Sequence, residues 1–311
     1  MKRLAPRWNE LLRHQAHTVF QLFSWNRLAA EMFRDRLTPH VISVESDAGA
    51  AIIPAAIDRR SRHLELLGEA LFDYRDVLQA GDEEVLRMAW QELASLRRTL
   101  RVISLGEPVD RGRWSGFSPK WFANAPQVER DRIGEKEFRE AHPRLARQLR
   151  RLYQQGVVMR SFSGEHSEQL RRVYECKREQ FAGPDNLFHD ERRREFMIAA
   201  ASLEESGCEV FTLQDPSEAM VAGLVSFRER DVRRCYTIYF NPAWAQYSPG
   251  VTLLYEVTAR SLREGLSCDY MTGEYPYKRR LANSKRALYT VDVSAEEFAE
   301  IAEQRVTSRA A

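Results

Sequence analysis

The chain has 311 residues, 43% apolar and 30% charged, with 47 basic and 45 acidic side chains that leave a net charge of +2. That length exceeds one ordinary domain of about 100–150 residues, so two domains are expected. The balanced charge counts against a nucleic-acid partner, which would call for a basic excess.

Met1-Lys2-Arg3 opens like a charged leader, but Trp8, Asn9 and Glu10 follow and no apolar stretch develops. The longest clean apolar run, Ala48–Ile57, is interrupted by Pro54 and falls short of the roughly 18 residues of a membrane span. A cytoplasmic protein without a membrane span is the expectation. Cys176, Cys208, Cys235 and Cys268 make no CxxC pair and adjoin no histidine, so they read as reduced thiols, and no metal is expected. A nucleophile elbow (GxSxG), a dinucleotide fingerprint (GxGxxG) and a P-loop are all missing. The arginine runs Arg147–Arg151 and Arg192–Arg194 are flanked by acids and read as solvated helix faces.

In chain order, Thr18–Arg34 places Val19, Phe20, Phe23, Leu28 and Phe33 near helical spacing, and Pro39 ends the pattern. His40–Ser46 alternates like a strand, Asp47-Ala48-Gly49 turns, and Ala50–Ile57 reads as the returning strand. His63–Leu67 is a third strand, and Gly68–Val77 a loop carrying Asp73, Tyr74 and Asp76. Asp82 suits the N-cap of a helix running to Leu100, with Glu83 and Glu84 in its first turn. Arg101–Leu105 is strand, Gly106–Pro126 loop, and Glu135–Gln155 a charged helix. The second half repeats the order. Strand Val157–Phe162 is followed by helices Glu165–Phe181, with Leu170, Val173 and Tyr174 on one face, and Asp190–Leu203. Strands Glu209–Leu213, Met220–Phe227 and Cys235–Phe240 come next, then a short strand at Cys268–Met271, strand Ala287–Val293 and a last helix Glu296–Gln304. The helix–strand–turn–strand–strand order thus occurs twice without a residue-level repeat, which points to two α/β halves.

Val251–Glu264 puts Leu254, Val257, Thr258, Ser261 and Leu262 on one helix face, and Gly265 suits its stop. Ser248 suits the N-cap and Pro249 the first turn. Those residues alone explain a well-capped helix start. The same terminus, with Gly250 at its second position and the strand CYTIYF leading into it, is also a seat for a diphosphate, because unpaired N–H groups there face an anion. Tyr236 and Tyr239 face opposite sides of that strand, one toward core and one toward a cleft.

With Tyr236–Phe240 (YTIYF), Ser248-Pro249-Gly250 and the later Asp269-Tyr270-Met271-x-Gly273-Glu274-x-x-Tyr277-Lys278, the second half resembles the GNAT acyltransferase superfamily. It looks most like the CelD/BcsL-type acetyltransferases, tied to cellulose and envelope polysaccharide synthesis, which are similar to Fem-type transferases in having two GNAT-like halves. Trp25, Pro54 and the Asp-Tyr-x-Asp of Gly68–Asp76 fit the same family, and the resemblance covers most of the chain. The commoner GNAT pattern Q/R-x-x-G-x-G/A, anchored on Gln246, would place glycine at 249 and glycine or alanine at 251. Here Pro249 and Val251 stand there.

The resemblance implies an α/β fold with mixed sheets, built as two tandem GNAT-like halves: a degenerate half over 1–126, a connecting helix over 127–150 and an acyltransferase half over 151–311. It implies acetyl-CoA, or another acyl-CoA, as co-substrate, with Tyr239, Phe240, Ser248, Pro249, Gly250, Val251 and Thr252 around it. The acyl group would pass directly to an amine or hydroxyl of a saccharide or other small acceptor. Glu274 or Asp269 would be the base, Tyr277 the acid, and Lys278 would stabilise an anion. Asp73, Tyr74, Asp76 and Tyr236 would meet the acceptor. A turn explains the first-half acids equally well, a turn or strand end explains Asp269, and a solvated loop explains Glu274, Tyr277 and Lys278. Two other readings stand beside it: aminoacyl transfer from a charged tRNA, as in Fem-type enzymes, and a non-catalytic binding protein that keeps the fold.

Overall fold

The computed structural model describes residues 1–106, 113–114, 116–164, 166–180 and 186–307, with 304–307 as backbone. The fold is mixed α/β and forms two compact units: Met1–Ala123 with Ala287–Ala311, and Asn124–Arg286. The last strand and helix, expected with the second half, therefore belong to the first unit.

In the first unit, the expected helix at Thr18–Arg34 is two pieces, a 3-10 turn Val19–Gln21 and a helix Phe23–Met32. Thr18 and Gln21 cap the turn reciprocally, and Leu22 leaves the helical region. The expected return strand is also split. Gly49–Ile53 pairs with Ile42–Ser46 and with Leu78–Gly81, whereas Ala55–Asp58 joins Leu37–Pro39 and Leu64–Leu66 in another sheet. Pro54 lies between the two pieces, where its missing N–H interrupts the ladder. Asp82 caps the helix Glu83–Ala94 by accepting from the Glu84 N–H at 3.0 Å. That helix stops six residues earlier than its pattern. Part of the expected loop Gly106–Pro126 (107–112 and 115) lies outside the described residues, and its last seven residues open the strand Lys120–Val128. The core gathers Trp90, Trp114 and Phe117 with Val291, Val293 and Phe298 of the chain's end.

In the second unit, the expected 135–155 helix breaks before Pro143 into Glu135–Ala141 and Pro143–Gln154. The expected ends of the next helix, Glu165 and Phe181, lie outside the described residues; Ser167–Gln180 is helical. The sheet runs Val158–Ser163, Cys208–Gln214, Met220–Glu229, Val232–Phe240, Ser267–Asp269, with residues 127–128 beyond it. The first four strands are antiparallel neighbours, and 232–240 pairs with 267–269 in parallel. Helix 167–180 covers one face: a Cβ added at Gly223 would meet the Val173 Cγ2 at 2.7 Å. The next residue, Leu224, faces the other way, into the core around Leu253, Leu254 and Val257 of the helix Pro249–Arg263. Arg139 ties the outside of that helix through a forked pair with Glu256 at 2.7 and 3.0 Å.

Candidate functional site

The two parallel strands pair at only three positions, Val232 with Ser267, Arg233 with Cys268 and Arg234 with Asp269. Past these they part. The register between 220–229 and 232–240 also shifts here, with Val225 opposite Thr237 but Ser226 opposite Cys235, so Tyr236 is the extra residue of a bulge. Met271 then takes a left-handed turn, with φ 59°, and the chain leaves the sheet for a short helix, Pro276–Leu281. Between the parted strands lies a cavity of about 520 Å³. Cys235, Tyr236, Thr237, Ile238 and Phe240 form one wall, and Tyr270, Thr272, Tyr275, Tyr277 and Lys278 the other. Gly250, Val251 and Leu254 of the 249–263 helix close one side, and Lys177, Gln180 and Phe188 the opposite side.

The helix start differs in detail from its expected form. Ser248 does not cap with its side chain; it sits in the left-handed region at φ 48° and ψ 50°. Thr252 N–H is the first to bond back, to the Ser248 carbonyl at 3.0 Å, and the Thr252 hydroxyl donates to the Tyr247 carbonyl at 3.1 Å. Pro249 has no N–H, and among the described residues no backbone acceptor meets the amides of Gly250 and Val251. Gly250 has a packing reason as well: a Cβ there would come within 3.3 Å of the Phe240 Cβ. Glycine lets the helix start lie directly against the end of the strand.

Of the residues singled out from the sequence, Tyr236, Phe240, Gly250, Val251, Tyr277 and Lys278 come together around the cavity. Tyr239 is turned away and buried, its hydroxyl pushed up to about 12 by burial and by Cys176. Tyr236 lines the cavity and Tyr239 does not. Ser248, Pro249 and Thr252 support the helix start behind the wall. Asp269 is only 1% exposed. Its carboxylate accepts from Arg234 at 2.5 Å, from Gln127 at 3.0 Å and from the Met271 N–H at 2.8 Å. That is a clamp on the point where the strands part, and it does not line the cavity. Glu274 is exposed, outside the lining.

Asp73, Tyr74 and Asp76 belong to the first unit. Asp76 accepts from Arg113 at 2.8 Å, from the Trp114 indole at 3.0 Å and from the Val77 N–H at 2.8 Å. Burial raises its pKa, opposed by Arg113. Tyr74 is buried, with its carbonyl taken by Gln21 at 2.6 Å.

The main residue that pattern reading overlooked is Lys177. Its ammonium donates to the Ile238 carbonyl at 2.8 Å. Burial, and then the charge of Lys278, lower it to about 8. The signal was present: Leu170, Val173, Tyr174 and Lys177 continue one helical stripe, and a lysine stands where the buried face calls for an apolar residue. Lys278 donates to the Thr272 carbonyl at 2.7 Å and lies 5.5 Å from the centre of the Tyr275 ring. Tyr275 and Tyr277 stack with centroids 5.9 Å apart. Burial, then Tyr275 and Cys235, push the Tyr277 phenol up to about 12, so it holds its proton at neutral pH. Cys235 is pushed up by its hydrogen bond with Cys268 and by burial, and stays a thiol. Among the described residues no cluster of three or more His, Cys, Asp or Glu could hold a metal, and no helix is long and apolar enough to cross a membrane.

Residues 139–279 match the family described as Acetyltransferase (GNAT) domain. The match spans the whole cavity and supports an acyltransferase. No curated protein matches the chain. Among solved structures, the C-terminal domain of an assigned lysylphosphatidylglycerol synthetase from Agrobacterium fabrum is similar at 12% identity and TM-score 0.59, covering 98% of this chain and 96% of that one. L-PGS from Bacillus licheniformis is similar at 11% identity and TM-score 0.58, covering 98% and 97%. FemX is similar at 10% identity and TM-score 0.59, covering 93% and 94%. At these identities the likeness shows the fold alone, and the GNAT description belongs to residues 139–279.

Proposed function

We propose that the chain transfers an acyl group, acetyl in the first instance, from a coenzyme A thioester to an amine or hydroxyl of a saccharide or other small acceptor. The observation that carries this reading is the parting of strands 232–240 and 267–269 over a cavity inside the matched segment. Three features of the cavity fit the donor. The strand edge from Cys235 to Phe240 faces the opening and suits an extended arm added like another strand. The amides of Gly250 and Val251, at the positive end of the helix dipole, suit the diphosphate. The aromatic walls shield a thioester from water. When bound, the donor supplies an acyl group activated by its thiol leaving group. The protein supplies backbone N–H groups for the developing oxyanion and the protonated Tyr277 as a proton donor. The resemblance of the Ser-Pro-Gly segment to CelD/BcsL-type enzymes supports a place in polysaccharide modification.

The test is direct. Acetyl-CoA raises the melting temperature of the wild chain. Val251→Glu abolishes that shift: an acid in the first helix turn suits the dipole and keeps the fold, but repels phosphate. If no acyl-CoA raises the melting temperature, the reading falls. Aminoacyl transfer from a charged tRNA is the second reading, favoured by the whole-length fold likeness to FemX. Tight, salt-sensitive binding of charged tRNA, without any response to acyl-CoA, would select it.

A further inference from the structure

We propose that the arginine-lined face of helix 143–154 is a docking surface for an anionic polysaccharide, a chain of sugar rings that carry carboxylates, and that it brings this acceptor to the cavity. The inference rests on the acyl-transfer reading and names its acceptor class. By pattern alone these arginines are a solvated face. Three features of the fold set them apart.

The neighbouring acids do not take them. Arg144, Arg147, Arg150 and Arg151 are exposed, and among the described residues their side chains form no ion pair. Other arginines of the same unit do pair: Arg139 with Glu135 and Glu256, Arg171 with Glu195, Arg178 with Glu179 and Arg260 with Glu264. Glu137 and Glu140, on the helix before, are exposed as well but pair with none of the four.

The arginines are also aligned. With 3.6 residues per turn, Arg144, Arg147 and Arg151 fall within about 60° around the helix axis, Arg150 flanks them, and the line is about 10 Å long. Leu149 and Leu152, on the opposite side, are buried in the core with Leu253 and Leu254. Tyr153, 43% exposed, borders Arg150.

The line starts beside the cavity. The His142 ring, immediately before the helix, bridges the Phe138 carbonyl at 2.8 Å and the Arg280 carbonyl at 3.2 Å. Arg279 and Arg280 are exposed on the short helix 276–281, whose Tyr277 and Lys278 line the cavity. Tyr275, 60% exposed, belongs to the same wall. The first end of the arginine line thus adjoins the helix that carries one cavity wall, and all of these residues lie within one unit.

The chemistry of the line selects its partner. Guanidinium forks grip carboxylates with two bonds at a time. The helix sets successive arginines of the line about 4.5–6 Å apart in rise, a repeat that a polymer with one acid per ring can follow. The exposed rings of Tyr275 and Tyr153 offer flat apolar faces to the sugars between charges. A folded nucleic acid would call for a basic excess over a broad surface, whereas the whole chain carries only +2. A lipid surface would call for apolar side chains that insert beside the cations, and this helix buries its leucines in the core.

Fluorescence polarisation of a labelled oligogalacturonate, titrated with the full chain, tests this. Binding is expected, weakened by salt and not displaced by neutral dextran. Replacing Arg144, Arg147 and Arg151 together by glutamine should weaken it about tenfold. Arg13→Gln, Arg34→Gln and Arg60→Gln together remove the same charge from exposed positions of the first unit and should leave it nearly unchanged. Both triple variants should keep the wild melting temperature and its rise with acetyl-CoA, so that lost binding is not lost fold. No binding of oligogalacturonate, equal weakening by the two sets, or tighter binding of transfer RNA or of phosphatidylserine vesicles at the same salt overturns the proposal. Any of these leaves the acyltransferase reading in place as long as acetyl-CoA raises the melting temperature of the wild chain. Absence of that rise removes the transfer reading, whatever the glycan does.

Discussion

Lys177 is a case where one ammonium works against the fold. Its pKa falls from about 10.5 unfolded to about 8 folded, chiefly through burial. The folded state therefore binds fewer protons between those values, and stability rises with pH across that window. Below about pH 8 both states are charged and the penalty is complete; above the unfolded value both are neutral and it vanishes. The shift corresponds to roughly 3–4 kcal/mol. Lys177→Met should accordingly raise the melting temperature at pH 7, with the gain shrinking as pH climbs toward 10. Denaturant melts of both chains at several pH values check this, and a pH-independent difference would contradict it. Asparagine, serine and threonine side chains elsewhere settle local chain ends: Asn241 accepts from the Ala243 N–H at 3.0 Å to start the 3-10 turn that delivers Ser248 to the helix.

The elements that matter most are the two strands that pair briefly and separate. Antiparallel neighbours hold 232–240 along its whole length on one side, while three parallel pairs hold its foot on the other. Asp269 locks that foot, joining Arg234 on the neighbouring strand to Gln127 and to the turn at Met271. Asp269→Ala removes one acid partner of Arg234, which is only 5% exposed and also pairs with Glu229. A loss of about 3–5 kcal/mol is expected for breaking such a buried pair. It should appear as a lower melting temperature, with the acetyl-CoA response kept in the protein that remains folded at low temperature. A variant of normal stability that has lost only turnover would instead make Asp269 part of the chemistry. The helix start at 249 serves packing and binding at once: the glycine that brings it against Phe240 also leaves its first amides beside the cavity.

At the scale of the whole molecule, the chain's end returns to the unit where the chain began. Phe298 lies 6.1 Å from Trp90 and 5.8 Å from Phe117, and the Gln91 amide donates to the Ala302 carbonyl at 3.2 Å. Phe298→Ala should cost about 3–5 kcal/mol. Hydrogen exchange should then quicken first in helix 83–94 and strand 100–105, which share its core, and not in strands 208–240. Quickening centred on 208–240 would contradict the division of the chain into these units.

Read alone, the sequence determined the local order: the alternating strands, the Asp82 cap, the amphipathic helix after Ser-Pro-Gly, and the α/β class. These follow from periodicity and turn chemistry, which act over a few residues. It also singled out Tyr236, Gly250, Tyr277 and Lys278, which the fold gathers around one cavity. Tertiary structure decided the rest. Pro54 divides a run that reads as one strand because two different sheets compete for its halves. Asp269 reads equally as a strand-end residue or a catalytic acid until Arg234, 35 residues earlier, is seen to hold its carboxylate. Lys177 and Lys278 lie a hundred residues apart, and only the parting of two strands sets their charges facing one cavity. Burial and Coulomb interaction depend on distance in space, so those assignments could not be read from spacing along the chain.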